Sequence, residues 1–264
     1  MLRTPAPLIG ALGVMIISVT QYYEEATLAL RAKYDKYTVA ILTGKRGREP
    51  TFIGSGFCLR RNSRNYIVTA GHVADSVDDG LYLGRRTFGS FESDGFRSRR
   101  ESEQFDIAVL PISEDKMSEV GIEAIDELQI DRHEVYTEGL HCLIGYPASK
   151  NKPGKAVQVG NKQINATCFG INTQRVDVDY SVYRKNKGDH IAIAYDTVTT
   201  PSGRFSQPPS LKGVSGAPLW VTRDILTSGH ALLAGLLIEH FKSPGVAFCT
   251  KIQHVIGFID ARDA

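Results

Sequence analysis

The alternation of apolar and polar positions changes character once, near residue 37. From Gln21 to Lys36 the chain has no Gly or Pro and is rich in helix formers. Tyr22, Ala26, Ala29, Leu30 and Tyr34 fall roughly on one face, which predicts an amphipathic helix. Beyond Tyr37 the apolar residues come in short β-branched runs: Thr38 to Leu42, Thr51 to Leu59 and Tyr66 to Thr69. Polar turns at 44–47 and 60–65 separate them. Short strands at this spacing predict a sandwich or barrel rather than a βαβ sheet. The charged, Gly/Ser/Arg-rich stretch from Gly84 to Gln104 reads as a surface loop or mobile hairpin. The core pattern returns at Phe105 to Leu110.

The acidic, weakly periodic segment from Ser113 to Glu134 lies near the midpoint of the chain. It reads as a linker between two lobes, or as a short surface helix. A second set of strands is predicted from Leu140 to Tyr146 and Gln163 to Ile171. A hairpin follows, with Val176, Val178 and Tyr180 on one arm, Ile191, Ile193 and Tyr195 on the other, and Lys187-Gly188-Asp189 as the turn. Prolines 201, 208 and 209 make 199–212 a loop. Strands at Ala217 to Thr222, Ala231 to Glu239 and Val246 to Thr250 precede a short closing helix from Ile252 to Asp260.

Composition narrows the class without naming a partner. The 264 residues suffice for one large domain or two small lobes. A net charge of +2 gives no argument for nucleic-acid or membrane binding. Cys58, Cys142, Cys168 and Cys249 are far apart, with no metal-type spacing. Their even number permits two disulfides, but free, buried thiols in a reducing compartment are the expectation. Leu8 to Val19 is an apolar run of 12 residues, too short for a bilayer span. A cytoplasmic protein is therefore expected, with a signal peptide or N-terminal anchor in 1–20 as the alternative.

Candidate chemistry centres on Gly213-Val214-Ser215-Gly216, where glycines permit a tight turn that exposes a hydroxyl and aims backbone N–H groups beside it. A serine needs a base, and His72 ends an apolar strand in the small-residue turn Ala70-Gly71-His72. The base needs an orienting carboxylate. Asp106 opens the apolar run Ile107 to Leu110, where an unpaired charge would be costly.

Three motifs, Val68-Thr69-Ala70-Gly71-His72-Val73, Asp106-Ile107-Ala108-Val109-Leu110 and Gly213-Val214-Ser215-Gly216-Ala217-Pro218, together resemble the trypsin-like, chymotrypsin-fold serine peptidases, most closely the compact bacterial type. Gly54-Ser55-Gly56-Phe57, Ile144-Gly145-Tyr146-Pro147 and Gly245-Val246-Ala247 extend the resemblance over about residues 37 to 260. It implies an all-β fold of two six-stranded antiparallel β-barrels with the site between them, plus the N-terminal and C-terminal helices. The implied organisation is an N-terminal apolar segment and helix at 1–36, a first lobe at 37–112, a linker at 113–138 and a second lobe with the closing helix at 139–264.

By the same resemblance His72 matches the general base, Asp106 the orienting acid and Ser215 the nucleophile, with the N–H groups of Gly213 and Ser215 as the oxyanion hole. The implied activity is cofactor-free, metal-free hydrolysis of a protein or peptide, with no nucleic acid and no stable membrane span. A regulatory partner is left unspecified. Val214 stands where zymogen-activated members carry aspartate, and no Ile-Val-Gly-Gly start is present, so activation by N-terminal cleavage is not expected. Pro209, followed by Ser210, occupies the floor of the specificity pocket and offers no acid for Arg or Lys. Ile238, Glu239 and His240 match the strand that pairs with substrate. Two rivals stand beside this reading. One is an α/β-hydrolase elbow with Asp224 and His254, opposed by Ala217 and the Pro-rich loop before the serine. The other is a catalytically silent peptide-binding or regulatory module of the same fold.

Overall fold

The computed structural model describes residues 19–44, 49–78, 80–85, 88–91, 97–99, 105–131, 140–152, 157–158, 163–164, 166–195, 198–199, 205–206 and 211–263. Helix α1 (Val19–Tyr34) leads into β1 (Thr38–Thr43), β2 (Thr51–Arg61) and β3 (Arg64–Ala70). Then come α2 (Gly71–Asp75), β4 (Leu81–Gly84), β5 (Phe88–Phe91), β6 (Arg97–Arg99), β7 (Ile107–Ile112) and α3 (Glu114–Val120). The second half holds β8 (Leu140–Gly145), β9 (Val157–Gln158), β10 (Gln163–Ile164), β11 (Phe169–Gln174), β12 (His190–Ala194), β13 (Val198–Thr199), β14 (Phe205–Ser206) and β15 (Pro218–Val221). It closes with α4 (Ile225–Ser228), β16 (Leu232–Phe241), β17 (Val246–Lys251) and α5 (Ile252–Asp263).

Thirteen of these strands form two curled antiparallel sheets, of seven and six strands where six in each are expected, and β9 pairs with β10 and β13 with β14 apart from them. The first runs β5-β4-β1-β2-β3-β7-β6 and the second β11-β8-β15-β16-β17-β12. In the first, β2 and β3 meet through Asn62 and Ser63, both left-handed at φ 49° and 62°. A two-residue turn of that hand matches the twist of the flanking strands. The second sheet curls until its edges touch. Arg175 bridges Ile193, and Thr173 Oγ1 donates to the Ala194 carbonyl at 2.6 Å.

Both terminal helices tie the sheets to the rest of the molecule. Ala26, Leu30 and Tyr34 of α1 are buried, the Tyr34 ring lies 4.6 Å from that of Trp220, and its hydroxyl accepts the Ala231 N–H at 2.9 Å. Helix α5 leaves the second sheet but ends on the first. Asp260 accepts two bonds from the Arg61 guanidinium, each 2.7 Å, and Asp263 accepts the Tyr66 hydroxyl.

Two local expectations are corrected, and one alternative is decided. The stretch from Gly84 to Gln104 is not all loop, since β5 and β6 pair at the two edges of the first sheet. Of the two readings of the segment from Ser113, the short surface helix is found at Glu114–Val120: α3 is capped by Ser113, whose Oγ accepts the Lys116 N–H. The hairpin through Val176 and Tyr195 forms only at its open end, where Arg175 bridges Ile193 and the Val176 N–H donates to the Ala192 carbonyl at 3.0 Å. Beyond it Asp179 caps a short 3₁₀ turn at Tyr180–Tyr183, accepting the Ser181 N–H at 3.0 Å, and β12 pairs with β17. Local side-chain capping overrides the period-2 pattern there, because a cap satisfies the turn's N–H groups without a partner strand.

Candidate active site

His72 reaches the site because β3 stops at Ala70 and α2 starts at Gly71. Gly71 N–H donates to the Asp106 carbonyl at 2.8 Å. A Cβ at Gly71 would lie 2.8 Å from Asp106 Oδ1, so no side chain fits between the two segments. Asp106 then grips the histidine twice: Oδ1 accepts the His72 backbone N–H at 2.8 Å, and Oδ2 lies 2.6 Å from Nδ1. An ionised carboxylate only accepts, so Nδ1 carries the hydrogen and Nε2 keeps its lone pair. The Asp106 side chain is 16% exposed and that of His72 44%, so the acid is sheltered while the imidazole faces the cavity.

Asp106 holds a left-handed backbone at φ 48°, a conformation that Asp tolerates better than most residues. Its neighbour Phe105 is fixed from the second half of the chain. The Phe105 carbonyl accepts the Thr250 hydroxyl at 2.6 Å, and its ring centroid lies 4.4 Å from that of His254. His254 Nε2 is in turn 3.0 Å from Asp189 Oδ1.

The serine turn depends on two glycines with positive φ, Gly213 at 86° and Gly216 at 88°. A Cβ on Gly216 would run into the Ser55 carbonyl, and one on Gly213 would lie 2.7 Å from the Tyr146 carbonyl. The Lys212 carbonyl accepts the Ala148 N–H at 2.8 Å. In a trans peptide the N–H points opposite to the carbonyl, so this bond aims the Gly213 N–H away from Ala148. The Val214 carbonyl is likewise taken by the Ala217 N–H at 2.9 Å. Among the described residues neither the Gly213 nor the Ser215 N–H donates to a backbone carbonyl. Val214 is fully buried in an apolar cluster with Leu143, Leu219 and Leu237, which anchors the turn from below.

Ser55 joins this turn to the first sheet. Its Oγ donates to the Gly213 carbonyl at 2.7 Å and accepts the Tyr146 N–H at 2.9 Å. Its backbone N–H donates to the Ser215 carbonyl at 2.8 Å, and its own carbonyl accepts the Thr69 hydroxyl at 2.7 Å. Sequence reasoning noted Gly54-Ser55-Gly56 only as part of a motif; the clamp depends on contacts to residues about 90 and 160 positions away.

His72, Asp106 and Ser215 open on one cavity of about 1000 Å³. Ile238, Glu239 and His240 line it as well, while Pro209 and Ser210 lie outside the described residues. Also on its wall, and not singled out from sequence, are Arg184, Lys185, Lys212 and Lys242. Lys185 Nζ pairs with Glu239 Oε2 at 2.9 Å, with the lysine side chain only 7% exposed. Burial, followed by the nearby Lys242 charge, holds His240 below the ordinary histidine value.

All four cysteines are free and buried, and the two-disulfide alternative does not apply. Burial pushes Cys58, Cys142 and Cys168 up to about 12 and Cys249 in the same direction. Among the described residues no group of His, Cys, Asp and Glu is arranged to hold a metal ion. None of their helices is long and apolar enough to cross a membrane.

No family model matches the chain, and no curated protein matches its sequence. Solved structures do resemble it. GrC superimposes with a TM-score of 0.52 at 14% identity, covering 87% of this chain and 94% of that one. The serine protease domain of the Sesbania mosaic virus polyprotein gives 0.48 at 14% identity, covering 84% and 91%. Rv3671c from M. tuberculosis H37Rv, in an inactive mutant form, gives 0.48 at 12% identity, covering 88% and 89%. The fold is that of the chymotrypsin-type serine proteases, and at these identities the likeness is one of fold.

Proposed function

We propose that the protein is a serine endopeptidase that hydrolyses peptide bonds through an acyl-enzyme on Ser215. One observation carries the reading. Asp106 holds both the backbone and the Nδ1 of His72, and both residues share a cavity with a serine beside two N–H groups not taken up by backbone carbonyls. Ser215 Oγ attacks the substrate carbonyl carbon while His72 Nε2 takes its proton. The negative oxygen of the tetrahedral intermediate accepts from the N–H groups of Gly213 and Ser215, which are oriented before substrate arrives. His72 then gives the proton to the departing amine as the peptide C–N bond breaks. A water, deprotonated by His72, attacks the ester, and Ser215 recovers its proton. Asp106 keeps the imidazole in one tautomer and stabilises its protonated form. The turn needs no new N-terminus to hold it, because Ser55 and the buried Val214 already do so.

A fluorophosphonate probe tests the assignment. Labelling of the intact protein that disappears in Ser215→Ala, together with loss of peptide cleavage in His72→Ala, is the expected result. A folded wild type that never labels, or a His72→Ala variant that still cleaves, overturns it.

A further inference from the structure

The catalytic cavity has an uneven charge. Among its described lining residues the cations are Arg184, Lys185, Lys212 and Lys242, and the carboxylates are Asp106 and Glu239. Both carboxylates are engaged, Asp106 with His72 at 2.6 Å and Glu239 with Lys185 at 2.9 Å. Arg184 and Lys242 are exposed and make no ion pair among the described residues. The chain as a whole carries only +2, so the excess is local to the cleft and not a property of the surface at large.

The two cations also stand on firm supports. Each directly follows one member of an aromatic pair, Tyr183 and Phe241, whose rings meet edge to face at 4.8 Å. Phe248 packs against both, with centroids at 5.0 and 5.9 Å. Arg184 ends the 3₁₀ turn in a left-handed conformation at φ 54°, and Lys242 follows the last residue of β16. The aromatic cluster thus brings together the two chain segments that carry these cations, and both cations line the cavity shared with Ile238, Glu239 and Ser215. Lys242 lines the cavity together with His240, whose protonation is opposed first by burial and then by the Lys242 charge.

We infer that the cleft selects peptides carrying an acidic side chain close to the bond cut at Ser215, with Arg184 and Lys242 as the groups that receive it. The inference rests on the peptidase reading of the same site. A low-dielectric wall bearing one sign of charge focuses its field into the cleft and raises the local concentration of the opposite charge. A planar guanidinium also receives a carboxylate in a bidentate geometry that an amide cannot match. The Glu239–Lys185 pair, its lysine sheltered and its carboxylate exposed, shows the same chemistry already satisfied within the wall. Substrates carrying Lys or Arg near the cut bond would instead meet like charge.

The test uses the full chain and matched peptides that differ only as Asp against Asn or Glu against Gln, at each position within three residues of the cut bond. At low salt the acidic member should show kcat/KM on the order of tenfold higher at one or more positions. The ratio should shrink as salt is raised. It should collapse or invert in the double variant Arg184→Glu with Lys242→Glu, or in Arg184→Gln with Lys242→Gln if charge reversal unfolds the protein. Equal cleavage of acidic and amide peptides by a wild type that labels at Ser215 overturns the inference and leaves the peptidase reading standing. So does a preference that survives both variants. A folded protein that neither labels nor cleaves any peptide overturns both.

Discussion

Ser55 Oγ donates to the carbonyl of Gly213 at 2.7 Å, and this bond links the first sheet to the turn that presents Ser215. The same oxygen accepts the Tyr146 N–H, so one hydroxyl bridges two backbone segments that also meet through the Ala148 N–H and the Lys212 carbonyl. Ser55→Ala leaves a buried donor and a buried acceptor unpaired, which costs roughly 1–3 kcal/mol. The Gly213–Val214 peptide, whose carbonyl is released, is then held only through the Val214 N–H on the Leu211 carbonyl, which loosens the turn between the Gly213 and Ser215 N–H groups. The expected outcome is a drop in kcat on the order of 10- to 100-fold with little change in KM, because the misplaced donor acts on the transition state. Steady-state kinetics together with denaturant titration would separate the two effects. Unchanged kcat would show that the turn holds its shape without the clamp.

Asp106→Asn tests the orientation of the base. In the carboxylate form Oδ2 accepts from Nδ1 at 2.6 Å. An amide nitrogen at that position would donate, moving the hydrogen to Nε2 and leaving Ser215 without a base. Activity should fall by roughly 10⁴-fold with the fold retained, since Oδ1 still accepts the His72 N–H. Cleavage rates alongside circular dichroism check this.

The stability of the protein should carry an acid-side signature of His240. Its protonation in the folded state is opposed first by burial and then by Lys242, and its Nε2 is buried without a hydrogen-bond partner among the described residues. Glu239 and the Tyr195 ring also lie close to it in chain or space. The folded state therefore binds its proton at lower pH than the unfolded state does. Below the ordinary histidine value of about 6.5 the unfolded chain holds more protons, so stability falls as the pH drops through that window and is fully present above it. Urea titrations between pH 7.5 and 5 should show this slope, and His240→Gln should reduce it.

Thiol reactivity offers a direct reading of the core. The four cysteines are free, buried and pushed toward higher pKa by burial. A thiol-disulfide reagent such as Ellman's at pH 8 should titrate none of them rapidly in the native protein, since the thiolate is the reactive form. All four should react after unfolding in denaturant without reductant. Fast native labelling would contradict the burial of these side chains.

The sequence by itself determined the all-β class, because short β-branched runs broken by polar turns have no other economical way to bury one face. It also singled out His72, Asp106 and Ser215 as chemically unusual, each for a local reason: a histidine in a small-residue turn, an acid opening an apolar strand, a serine between glycines. The hairpin through Val176 is shorter than its alternation suggests, because pairing stops after Arg175 and Val176 and the Asp179 cap turns the chain into a 3₁₀ turn, while β12 goes on to pair with β17. Tertiary structure alone brought Ser55 to Gly213 and placed Arg184 and Lys242 on the lining of one cavity. Those relationships join residues far apart in the chain through sheet curvature and aromatic packing, and neither leaves a periodic trace in the order of the amino acids. Local chemistry is written residue by residue, whereas a cleft and the charge it carries exist only once distant segments have been folded onto one surface.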